Sequence, residues 1–128
     1  MKPYSFFVGE EYNRLPDFLK RQVDEIGLSC RHIIAESGTK LDKGQSIAFL
    51  KEIKKILLLA LEFPENINKE MVSGIGTGII GVDIKFVPEC EEAIKELIDA
   101  ETKGDITSFL HATIAKIDAV LAKLKETP

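Results

Sequence analysis

Lys54 is the residue in this chain whose surroundings most suggest chemistry. Its neighbours at helical spacing, Ile47, Leu50, Leu57, Leu58 and Leu61, are all apolar. A lysine drawn into an apolar arc shifts its pKa readily and can act as a nucleophile or pair with an acid. The more ordinary outcome is a stem lying along apolar surface with its ammonium in water. A functional Lys54 needs a carboxylate beside it, and Asp83 is one candidate.

The second group is glycine-rich. Gly76-Thr77-Gly78-Ile79-Ile80-Gly81 satisfies the G-x-G-x-x-G pattern of dinucleotide sites. In those sites a strand precedes the glycines and a helix follows, so that the pyrophosphate meets a helix N-terminus. Here a strand-like run follows, and no G-K-[ST] is present for a Walker phosphate loop. The preferred reading is a tight hairpin at Thr77-Gly78, or backbone packing too close for a side chain. If a small molecule binds, Lys54, Asp83 and the backbone at Gly76, Gly78 and Gly81 are its polar contacts.

The sulfur and imidazole groups are few: Cys30, Cys90, His32 and His111. Structural zinc wants closely spaced ligands that converge tetrahedrally. Cys30 and His32 lie about 200° apart around a helix, so they diverge. Both cysteines fall on apolar stripes, where a free thiol behaves as a small hydrophobe. Cys90 lies among Glu89, Glu91 and Glu92, which oppose a thiolate. No Glu-x-x-His occurs, excluding a ferritin-type di-iron site. His111 invites a phosphorelay reading, but position 114 is isoleucine and the nearest following lysine is Lys116. No metal, cofactor or catalytic residue is therefore expected.

The elements that carry these residues are mainly helical. From Pro16 to Gly38, Leu15, Leu19, Val23, Ile26, Cys30 and Ile33 form one apolar stripe. Asp42 with Gln45 forms a capping-box pattern that opens a second helix, which Pro64 stops. That helix is apolar around more than half its circumference from Ile47 to Leu61, the mark of a central element touching several neighbours. Asn66 or Asn68 caps a short turn leading to the glycines. The alternation of Ile80, Val82, Ile84 and Phe86 with Gly81, Asp83, Lys85 and Val87 predicts a strand. Pro88 opens a third helix ended by Gly104. Asp105 caps the last, whose stripe is Ile106, Leu110, Ile114, Ile117, Leu121 and Leu124.

The expected fold is mainly α, a single helical domain over residues 1–128. It is a four-helix bundle with a glycine-rich, strand-containing connector, Met71–Val87, in its middle. The alternative is α+β, in which the central strand pairs with the aromatic run Tyr4–Val8 as a small two-stranded sheet; that run otherwise serves as an arm on the core.

Composition narrows the function. The net charge of −4 lacks the basic footprint of general nucleic-acid binding. The longest apolar run, Ile56 to Leu61, is far too short to span a membrane. The first residues lack the apolar core of a secretory signal, and two cysteines make no disulfide scaffold, so the cytoplasm is expected. Charge is uneven: −5 over Glu89–Glu101 and +3 over Lys40–Lys55. Opposed patches steer a partner or pair two copies of one chain. The expected function is a non-catalytic interaction or regulatory module, with a protein partner or as a homodimer. The alternative is a small-molecule binder or enzyme, its pocket between the glycine connector and the second helix.

Overall fold

The computed structural model describes residues 6–7, 9–37, 41–80, 95–100 and 104–126, leaving aside the side chains of 36–37 and 77–80. Among these residues the protein is mainly helical. A short α1 (Glu10–Asn13) precedes α2 (Asp17–Ser37), α3 (Lys43–Glu62) and α4 (Lys69–Ile80). Residues 95–98 are helical, and α5 (Ile106–Glu126) follows.

The starts of the helices follow from local chemistry. Orphan N–H groups of a first turn need acceptors, and a side-chain cap contributes about 1 kcal/mol. At α3 both halves of the capping box form. The Gln45 backbone N–H donates to Asp42 Oδ1 at 2.8 Å, and the Asp42 N–H donates to Gln45 Oε1 at 3.0 Å. Asn68 Oδ1 accepts from the Met71 N–H at 3.0 Å at the start of α4. Asp105 accepts from the Ser108 hydroxyl and the Thr107 N–H, bonds that hold its carboxyl below the usual aspartate range. Before α2, the Tyr12 phenol donates to Asp24 at 2.7 Å and the Lys20 ammonium lies over its ring. Donating to that carboxylate raises the Tyr12 pKa.

Packing centres on α3, which lies against both α2 and α5. Phe49, Ile53, Ile56, Leu57 and Ala60 of α3 are fully buried. From α2, Leu19, Val23, Ile26 and Cys30 turn inward at helical spacing, and α5 contributes Leu110, Ile114, Ile117, Leu121 and Leu124. Each such large side chain contributes about 1.5–3 kcal/mol on burial. At one end Phe18 of α2 meets Phe63 edge-on, with ring centroids 5.2 Å apart. Cys30, farther along α2, lies near Glu52 and Lys55, so α2 and α3 run antiparallel.

The glycine stretch departs from expectation. Gly74, Gly76 and Gly78 lie within α4, so Thr77-Gly78 is not a hairpin, and Ile80 closes a helix instead of opening a strand. The rest of the expected strand, residues 81–87, lies outside the described residues, as does most of the helix from Pro88. Among the described residues there is no strand, and Phe6 and Phe7 are buried in bends, in keeping with an arm on the core.

The expectation of close backbone packing holds at Gly76. A Cβ there would lie 2.9 Å from Leu97 Cβ and 3.0 Å from the Ile98 backbone nitrogen. Beside it the Ser73 hydroxyl donates to the Ile98 carbonyl at 2.5 Å. Helix propensity disfavours glycine by about 1 kcal/mol relative to alanine. Burial of Met71, Val72 and Ile75, with the cap at Asn68, offsets that cost. Two substitutions separate the contributions. Gly76→Ala should destabilise by about 1–3 kcal/mol through overpacking. Gly74→Ala, with nothing within 4 Å of the added methyl, should stabilise by about 0.5–1 kcal/mol. Urea unfolding followed by circular dichroism reads both.

Candidate functional site

Lys54, expected inside the apolar arc of α3, lies at the edge of that arc, and its partner among the described residues is an aspartate of α5. Its Nζ meets Asp118 Oδ1 of α5 at 2.7 Å, across the seam between α3 and α5. Its side chain stays one-third exposed and that of Asp118 about half, so the stem covers apolar surface while the ammonium reaches the solvent edge. Asp83 and Gly81 lie outside the described residues. Gly76 is enclosed by Leu97 and Ile98, and Gly78 lies in the last turn of α4. The structure therefore places Lys54 and Gly76 in separate environments.

Half-exposed ion pairs contribute little because solvent screens them. Lys54→Met should therefore fold normally, with stability within about 1 kcal/mol of wild type in urea unfolding. A larger loss would mark the ammonium as structurally required.

The remaining candidates separate in the same way. Cys30 is wholly buried, and burial pushes its thiol up to about 12; the nearby Glu52 carboxylate adds to this and Lys55 opposes it. A neutral buried thiol is not a nucleophile. His32 and His111 are exposed, Asp118 is taken by Lys54, and Cys90 lies outside the described residues. Among the described residues no cluster of acidic, histidine and cysteine side chains suits a metal ion. Nor is any described helix long and apolar enough to cross a membrane.

The thiol makes a pH prediction. Its folded pKa lies above its unfolded value near 9.0, so its contribution to stability is complete below that value. It is lost as pH rises from about 9 towards about 12. At pH 8, iodoacetamide should label Cys30 only as fast as the protein opens, and immediately once urea unfolds it.

What sequence reasoning missed is the surface beside Lys54. Leu58 is 44% exposed on α3 and stands between two grooves. On one side, between α3 and α5, a groove of about 550 Å³ has Lys51, Lys54, Lys55 and Lys125 on its walls and Leu121 in its lining. On the other, between α2 and α3, a groove of about 400 Å³ has Glu25, Glu52 and Glu62 around Ile26 and Leu59. Lys55 borders both and bonds Glu52 Oε1 at 2.9 Å. The second Glu52 oxygen is buried and has no hydrogen-bond donor among the described residues. Glu25, Glu62, Lys51 and Lys125 form no ion pair among the described residues. The surplus of lysine from Lys40 to Lys55 was visible in the sequence. The acidic groove was not, because its walls come from two helices.

Comparison with protein-family models, curated proteins and solved structures gives no match.

Proposed function

We propose that this chain is a non-catalytic protein-interaction module of the cytoplasm, regulatory in character. In this reading α3 is the centre of a helical bundle and offers its exposed ridge to another protein surface. The observation that carries it is Leu58: a large apolar side chain left 44% exposed on a helix otherwise buried at its core. Charged grooves with unpaired side chains flank it, the arrangement of an apolar contact with a polar rim.

The alternative, a small-molecule binder or enzyme, requires Lys54, Asp83 and the glycine backbone to converge on one concave pocket. Lys54 is engaged by Asp118, and the space above Gly76 is filled by Leu97 and Ile98. Both facts favour the interaction reading.

The test is a native mass spectrum of the protein isolated from its own source, beside its denatured mass. A polypeptide-sized companion, either a second copy or a different chain, is the expected result. An adduct of small-molecule size that is lost on denaturation, or a bare monomer, would overturn the reading.

A further inference from the structure

We infer that the surface beside Leu58 takes an acidic amphipathic helix of another protein, laid in the lysine-walled groove between α3 and α5. This rests on the interaction reading above and deepens it by naming the groove and the chemistry of its occupant.

The shape of the occupant follows from the spacing of the lining residues. On α3 the lining runs from Lys51 to Leu58 in steps of three and four residues, and on α5 it runs from Asp118 to Lys125 in the same way. Each helix therefore turns one face, about 10 Å long, towards the groove. An open cleft between two helix faces is the seat of a third helix, whose apolar stripe lies along the floor. Among the described residues there is no strand edge on which an extended peptide could pair.

The charge of the occupant follows from which lysines are already engaged. Lys54 is held by Asp118 and Lys55 by Glu52. Lys51 and Lys125 are exposed and form no ion pair among the described residues. These two ammonium groups stand in the same groove as Leu58, Leu121 and Ala122. Such a lining is complementary to carboxylates flanking an apolar side chain.

The acidic groove across the ridge decides between a helix and a broader anion. Lys55 and Leu58 border both grooves, so the two lie side by side, and Glu25 and Glu62 line the acidic one. A nucleic acid or an anionic bilayer spread over the ridge would meet those carboxylates as well as the lysines. A single helix is about 10 Å across and lies on the basic side alone. The net charge of −4 likewise disfavours an extended polyanion.

The test begins with a displayed library of helical peptides, selected on the full chain. Leucines are fixed at every third or fourth position, and the flanking positions are randomised. Aspartate and glutamate should be enriched at those positions. The best selected peptide, synthesised with a fluorophore, then serves as the probe in anisotropy titrations. Lys51→Glu combined with Lys125→Glu should weaken its binding about tenfold or more. Leu58→Ala should weaken it about fivefold, through lost apolar contact. Raising salt from about 50 to 500 mM should also weaken it. Glu25→Lys with Glu62→Lys, across the ridge, should leave it unchanged or tighter. All these positions are exposed, and circular dichroism checks that the variants fold.

A selection without acidic enrichment would overturn the inference, as would binding that the lysine reversal leaves intact. So would loss of binding on reversing Glu25 and Glu62, or tighter binding of an oligothymidine or of phosphatidylserine vesicles than of the peptide. Should the native companion be a polypeptide that the lysine reversal fails to release, the interaction reading stands and this inference falls.

Discussion

Everything described here depends on α3 being enclosed from two sides. Phe49, Ile53, Ile56, Leu57 and Ala60 have no exposure, and no single neighbouring helix can cover an apolar arc that wide. Antiparallel α2 covers one flank and α5 the other. What two neighbours leave uncovered is a narrow ridge, and Lys51, Lys55 and Leu58 lie on it. The grooves are the clefts where α3 meets each neighbour, so the core that stabilises the chain also shapes its outer surface. Lys54 illustrates the boundary: its stem belongs to the enclosed side and its ammonium to the open one.

How much of this is legible in one dimension depends on the range of the interaction involved. Caps are local, so Asp42 with Gln45 and Asp105 are readable from residues a few positions apart, and of the two candidates Asn66 and Asn68 the structure uses Asn68. The stripes of α2, α3 and α5 were readable because one face of a helix repeats. The position of Lys54 on its helix was readable for the same reason. Its partner was not, because Asp118 comes from a different helix and nothing near Lys54 in the sequence names it.

The glycine stretch misled for a physical reason. Glycine signals a turn when judged alone, and three of them in α4 outweigh the helical spacing of Met71, Val72 and Ile75. Tertiary packing overrides that local preference: at Gly76 another segment approaches too closely for a side chain. The alternation after Ile79 encouraged a strand, yet at Ile80 the chain is still helical. A periodicity of two over a few residues is weak evidence where a helix has not yet ended.

Close approach at Gly76 also restricts how this sequence can change over time. Where two side chains collide, a larger residue on one side can be accommodated by a smaller one opposite. At Gly76 the atoms that a methyl would strike are a Cβ and a backbone nitrogen. Every residue but glycine has the first, and every residue has the second. Trimming Leu97 to any other side chain, short of glycine, leaves the obstruction in place. Position 76 therefore has almost no partner with which to co-vary, and drift there requires the backbones themselves to part.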